Sequence, residues 1–383
     1  MIYLDAAATT PVRPEVLDLV WPLLTTEYGN PSSRHTVGEA AARALDYARD
    51  TAAGVLGVRT GDIVFTSGGT ESNNLALKGL ALAAPRGRHL VTSAVEHSSV
   101  RASADYLARH HGFAVDVVPV DRAGRIDPDA LRGLLRPDTT LVSVMAVNNE
   151  VGTIQPVAEA AAAARAVGAL FHTDAVQAAG WLDLRPLAAV SDALSLSGHK
   201  IGGLKGAGLL MLRGRLEAEP VLHGGGQERG RRSGTENVAG AVSTAVALRL
   251  AAEAVAAGGP QEGYGAYLTR AIVDGLRGDG GAAVPVPTGD PERRVPGIVS
   301  FCFPGTSGEA VLLELERRGV VCSSGSACHA GSDEPSTVLL AMGYDPDTAL
   351  TAVRLSFGRG VKEAELTTAA RGVVAAVRAV AGG

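Results

Sequence analysis

The sequence predicts an α/β fold with a large domain on a mostly parallel sheet, joined to a smaller α+β domain. Two observations carry this. Between residues 63 and 200, short continuous apolar runs alternate with helical stretches, as strands buried on both faces do. Around 276–297 the alternation breaks into glycine, proline and charge, through Gly278-Asp279-Gly280-Gly281 to Pro285, Pro287, Pro291 and Pro296. A second set of elements follows, and 383 residues leave room for both units. The expected boundaries are 14–255 for the large domain, and 1–13 with 256–383 for the small one.

Ile2-Tyr3-Leu4 is a short strand, followed by the small-residue turn Asp5-Ala6-Ala7-Ala8-Thr9-Thr10-Pro11. Pro14, preset for a first helical turn, opens a helix to about Leu24. Gly29-Asn30-Pro31-Ser32-Ser33 has turn chemistry, and a helix over about 37–56 comes next. The strand Ile63–Thr66 runs through Ser67-Gly68-Gly69-Thr70 into a helix over 71–84. Strands at 90–93, 114–119, 141–145 and 169–174 then alternate with helices over 99–110, 128–135 and 157–167. Residues 192–200 begin as a strand and end in Ser197-Gly198-His199-Lys200. Beyond the break, a strand over 299–303, a helix over 308–317 and the strand Val320-Val321 build the smaller domain.

Apolar residues make up 46% and charged residues 20%, ordinary usage for a chain with a sizeable core. A net charge of -5 and a pI near 6.0 give no ground for nucleic acid or an anionic membrane as a direct partner. The longest apolar stretch, Val238–Ala257, is alanine-rich and contains Arg249 and Glu253, so it reads as a soluble helix and not a membrane span. Residues 1–5 lack the basic and apolar regions of a cleavable signal. Three cysteines (Cys302, Cys322, Cys328) then imply a reducing compartment, the cytoplasm, with no disulfide framework.

Lys200 is the chemical focus. Of 35 basic residues only Lys78, Lys200, Lys205 and Lys362 are lysines. Arginine cannot take the place of lysine where a neutral amine must form, because its guanidinium stays protonated. A lysine at a strand end before the glycine-rich 201–208 suits an amine that reaches a carbonyl cofactor, and equally a surface lysine closing a strand. Gly69 and Thr70 lie at a strand-to-helix turn that can cradle a phosphate or simply cap a helix. Asp174, just past a strand, lies where open α/β sheets bind ligands, and such an acid can hold a pyridine nitrogen protonated, and equally cap a helix. His97 and Asn149 close two further strands. His97 can stack on an aromatic ring or shuttle protons, or be a structural histidine at a strand end, and Asn149 can hydrogen-bond a ring or a substrate or simply suit the turn.

Cys328 differs in kind. It lies among ten small or polar residues, 323–332, where a reactive thiol has access that a structural cysteine lacks. Cys302 reads as a core residue. Arg354, a charge inside the alternating run 352–357, can face solvent or grip a carboxylate bidentately. The glycine-rich basic segment 223–237 can bind an anion or simply connect.

Taken together, these stretches resemble cysteine desulfurases of the NifS/IscS type, within the class V aminotransferase group of pyridoxal-phosphate (PLP) enzymes. The likeness runs through Asp5–Pro11, Asn30-Pro31-Ser32-Ser33, 66–74, Glu96-His97, Asn148-Asn149-Glu150-Val151-Gly152 and 174–177. It continues through Ser197–Lys200, 223–228, 232–237, 323–328 and 354–359. The resemblance implies a PLP-dependent transferase of fold type I acting as a homodimer on L-cysteine. Lys200 would carry PLP in imine linkage, His97 would stack on its ring, Asp174 would pair with the ring nitrogen and Gln177 with the ring hydroxyl. Gly69, Thr70, Ser197 and His199 would hold the phosphate, and Thr235 would reach the phosphate of the partner subunit. Asn30, Asn149 and Arg354 would bind substrate. Cys328 would take the sulfur as a persulfide and leave alanine, then feed an acceptor protein for iron–sulfur assembly or tRNA thiolation. A selenocysteine lyase or another class V lyase or aminotransferase is the alternative. Leu204, where relatives usually carry proline, and His329 depart from the pattern.

Overall fold

The computed structural model describes residues 1–83, 85–277, 284–325 and 334–382. Seven strands form the main sheet: β2 (Ile63–Thr66), β3 (His89–Ser93), β4 (Ala114–Val118), β5 (Thr139–Ser143), β6 (Leu170–Asp174), β7 (Ala193–Ser197) and β8 (Gly208–Leu212). Their order is β2-β8-β7-β6-β5-β3-β4. All neighbours from β7 to β4 pair parallel, and β8 alone runs antiparallel to both its neighbours. The sheet is thus mostly parallel, as expected. The short β8, too apolar for its direction to be read, reverses the chain through the tight turns after Lys200. Val64, Leu90, Leu141, Leu194 and Leu210 are fully buried, which is why these strands read as unbroken apolar runs.

Helices cover the sheet. Val238–Ala257 packs on Pro14–Thr25 and Thr36–Leu56, and every residue from Val238 to Leu248 is buried. Its apolar character is therefore that of a core helix. Leu184–Val190 and Tyr264–Leu276 are helices that the sequence reading did not find. The first is a single short turn pair, and the second lies next to the glycine-proline break that masked its period.

A second core assembles from the C-terminal part and the N-terminal strand β1 (Ile2–Tyr3). An antiparallel sheet joins β9 (Val286–Thr288), β10 (Ile298–Cys302) and β12 (Ala352–Ser356), while β1 pairs parallel with β11 (Val320–Val321). Leu4, Leu268, Phe301, Phe303, Val353 and Val373 share this core. Residues 5–13 cross between the two cores: Ala6 N–H bonds Ser356 O at 3.0 Å, and Thr10 N–H bonds His199 O at 2.9 Å.

His172 lies inside β6, fully buried, with Nδ1 2.8 Å from Ser143 Oγ and Nε2 3.0 Å from Ser195 Oγ. Burial pushes its pKa down to about 3, so the folded chain keeps it neutral while the unfolded chain protonates it near pH 6.5. Stability from this group is present above about pH 6.5 and is lost as pH falls toward 3. Between pH 7 and 5 the loss should be about 2 kcal/mol. Urea unfolding of wild type and His172→Gln at both pH values checks this, since the variant's pH dependence should be shallower by that amount.

Candidate active site

The pocket lies at the C-terminal ends of the parallel strands, where the loops after β2, β3, β5, β6 and β7 converge. After β7 the chain makes one 3₁₀ turn, Gly198–Lys200, which ends on the lysine. Lys200 Nζ donates to Ala7 O at 2.7 Å and Ala8 O at 2.6 Å. Those carbonyls come from the N-terminal turn, which is laced to the lysine loop by Thr10. Its hydroxyl donates to His199 O at 2.8 Å and accepts from Gly202 N–H at 2.9 Å. His199 Nδ1 sits 3.1 Å from Thr9 Oγ1. Burial, with the charges of Lys200 and Lys205, lowers its pKa to about 4, so this ring is neutral at neutral pH.

Asp174 ends β6 and is buried. Its Oδ1 accepts from Val176 N–H at 3.0 Å and its Oδ2 from Asn73 Nδ2 at 2.7 Å. Gln177, one turn on, donates from Nε2 to Ala7 O at 2.9 Å. His97 caps the helix Ser98–His111, with Nδ1 accepting from Ser99 N–H at 3.1 Å. The helix after β2 begins at Gly69, two residues before the expected start, and passes through a π-helical turn at Leu75–Gly79. Gly68 makes that start possible, since its φ of +147° is open only to glycine. At Gly69 an added Cβ would meet Val176 Cγ2 at 2.9 Å. Val176 thus leaves no room for a side chain on Gly69, whose backbone lines the pocket.

On the opposite wall, Arg354 is buried in β12. Its Nη2 donates to Asp5 Oδ1 at 2.8 Å and Ser323 Oγ at 2.9 Å, and its Nη1 donates to Asn149 O at 2.9 Å. Its Nε is buried without a partner among the described residues. A buried guanidinium among the residues lining the pocket suits an anionic ligand. Beneath the pocket Glu96 is fully enclosed. Burial first, then the charge of Asp174, raises its pKa to about 8 against the hydrogen bonds from Ser93 and Met145 N–H. It is mainly protonated at neutral pH.

The cavity measures about 300 Å³ and is lined by Gly69, Thr70, His97, Asn149, Asp174, Gln177, Ser197, His199, Lys200 and Arg354. Ten of the residues expected to act together therefore meet around one space. The family model for class-V aminotransferases matches residues 2–368. A cysteine desulfurase IscS from Methanosarcina thermophila is 41% identical over 365 residues, covering 94% of this chain and 87% of the relative. The chain belongs to the cysteine desulfurases of the class-V aminotransferase family.

Solved structures agree with the desulfurase assignment. A NifS-like protein superposes with a TM-score of 0.88 at 35% identity, covering 98% of both chains. SspA in complex with cysteine superposes with a TM-score of 0.80 at 33% identity, over 93% of this chain and 99% of SspA. Enzymes of this family use PLP. The residues present fit that group: a buried carboxylate, an amine, neutral His199 beside the Ser197 and Thr70 hydroxyls, and a glycine where a side chain would collide.

Two expected residues that are described, Asn30 and Thr235, do not line this pocket. Asn30 is exposed in its turn, where its Oδ1 accepts from Ser32 N–H. The sequence cue was a turn motif, which fixes local shape but not what it faces. Thr235 lines a separate cavity of about 110 Å³ with Ser67 and Arg232. Its loop is pinned by Glu228, whose carboxylate takes both Arg49 Nη atoms at 2.8–2.9 Å and Phe65 N–H at 3.1 Å. Cys328, with His329, lies outside the described residues. Leu204 has its own use: its N–H donates to Ser243 Oγ at 2.7 Å, a bond proline cannot make. The sequence reading missed Asp5, Asn73 and Glu96 as site residues. Asp5 and Asn73 stood inside quoted motifs without a role, and only their partners reveal one.

Proposed function

We propose that this pocket holds PLP and converts L-cysteine to L-alanine, with the sulfur carried away on Cys328. The observation that supports the reading best is the convergence of Lys200, Asp174, His97 and Arg354 on one 300 Å³ cavity. Bound PLP supplies an electron sink for the pair released when the Cα–H bond of an amino acid breaks.

The residues divide that work. Thr70, Ser197 and His199, with the backbone at Gly69, hold the phosphate, and Gln177 holds the ring hydroxyl. Asp174 keeps the ring nitrogen protonated, and His97 covers the ring face. Arg354 binds the substrate carboxylate with Asn149 beside it. Lys200, the one amine in the pocket, takes the Cα proton and returns it. The Cys328 thiolate attacks the substrate sulfur, forming an S–S bond as the Cβ–S bond breaks. The electron pair stays on the substrate carbon, and protonation leaves alanine. The persulfide then passes to an acceptor protein, an iron–sulfur scaffold or a tRNA-thiolation enzyme. We place the enzyme in the cytoplasm as a homodimer in which Thr235 serves the partner's phosphate.

The test is direct: purified protein should bind PLP with a visible band and release equal alanine and sulfide from cysteine with a reductant. Absence of both sinks the reading. Arg354→Gln should raise KM for cysteine roughly 10- to 100-fold, the value of a charge-assisted bidentate contact. Steady-state kinetics check it, and an unchanged KM removes Arg354 from the carboxylate site.

A further inference from the structure

We infer that Asn73 and Ser99 are positioning residues, joining Asp174 to His97 through a one-directional chain of hydrogen bonds. That chain holds His97 neutral, with its ring proton on Nε2. The inference rests on the proposal that His97 and Asp174 act on the same cofactor ring.

The direction follows from which groups can only donate and which can only accept. A backbone N–H only donates, and that of Ser99 lies 3.1 Å from His97 Nδ1, so this nitrogen presents its lone pair. A carboxylate only accepts, so the Asn73 atom 2.7 Å from Asp174 Oδ2 is the amide nitrogen. Its second hydrogen goes to Ser99 Oγ at 2.9 Å. With that oxygen accepting from the amide, the Ser99 O–H turns to His97 Nδ1 at 2.8 Å. Asn73, Asp174 and Ser99 are 1%, 5% and 7% exposed, so water does not compete for these bonds.

The amide is held against a cost. Asn73 Oδ1 is buried with no partner among the described residues, which is unfavourable for a polar atom out of reach of water. Flipping the amide would set that oxygen against the carboxylate of Asp174, which is worse. The electrostatic consequence bears on His97. A cofactor ring whose nitrogen is protonated carries positive charge, and an imidazolium against it would be repelled. Two hydrogen bonds into Nδ1 keep the imidazole neutral where that matters. The same amide fixes the Asp174 carboxylate, so one side chain sets both groups that face the ring.

The test is nitrogen NMR of the full-length holoenzyme labelled at histidine, with the His97 signals assigned by their loss in His97→Gln. In wild type, Nδ1 should be unprotonated and Nε2 protonated. In Ser99→Ala the two signals should move toward each other as the lock weakens, and Ser99→Thr, which keeps the hydroxyl, should restore them. kcat should fall about tenfold in Ser99→Ala, the value of one hydrogen bond, with KM for cysteine unchanged. Should Ser99→Ala fail to fold, Asn73→Asp, which trades the donor for an acceptor, carries the same expectation. Protonated Nδ1 in wild type, or wild-type signals in Ser99→Ala, overturns the inference. Protein that binds no PLP fails the cofactor proposal instead, and its His97 signals still read the hydrogen-bond chain.

Discussion

Replacing Lys200 with alanine is expected to abolish turnover and the normal visible band of the bound cofactor together. Lys200 is the amine held 2.6–2.7 Å from two main-chain carbonyls on the pocket wall, where it can both anchor an aldehyde and move a proton. Proton transfer by a positioned base contributes about 10²–10⁴-fold, and loss of the covalent anchor adds to that. Arginine at position 200 should be as damaging as alanine, because a guanidinium does not give up its charge. The measurement is an absorption spectrum of the purified variant beside an assay for alanine. Turnover within tenfold of wild type would remove Lys200 from its role.

Cys328→Ala separates the two halves of the reaction. Sulfide release in the presence of a reductant should fall below detection, while the visible band stays, because the residues proposed to hold the cofactor are others. Only a thiolate can receive the sulfur, and no hydroxyl neighbour in 323–327 replaces it. The two described cysteines are poor substitutes. Cys302 is buried with a pKa pushed up to about 11, and burial pushes that of Cys322 to about 12. A variant that still releases sulfide at the wild-type rate would make this a β-eliminating lyase, since elimination needs no protein thiol. Comparing cysteine with selenocysteine would then be the next measurement.

Much of the site was legible before any fold. Ser197–Lys200 at a strand end, Asp174 past another, and His97 and Asn149 closing two more all sit where a parallel sheet gathers its loops. Strand ends are local features, set by apolar runs that stop at small polar residues, so position along the chain predicts position in the crevice. The same logic does not reach Asn30, whose turn chemistry says nothing about what the turn faces. It was silent on β8, because an apolar run carries no mark of its direction.

What the sequence by itself determined is the alternation of elements, the buried helix Val238–Ala257 and the set of residues able to do amine, acid and thiol chemistry. Those depend on side-chain type and on spacing of a few residues. Only the tertiary structure decided that Asp5 grips Arg354 across 349 residues, that Ala7 and Ala8 offer their carbonyls to Lys200, and that Asn73 stands between Asp174 and Ser99. Each is a hydrogen bond whose donor and acceptor are brought together by the packing of elements distant in sequence, and no local pattern encodes such a partner.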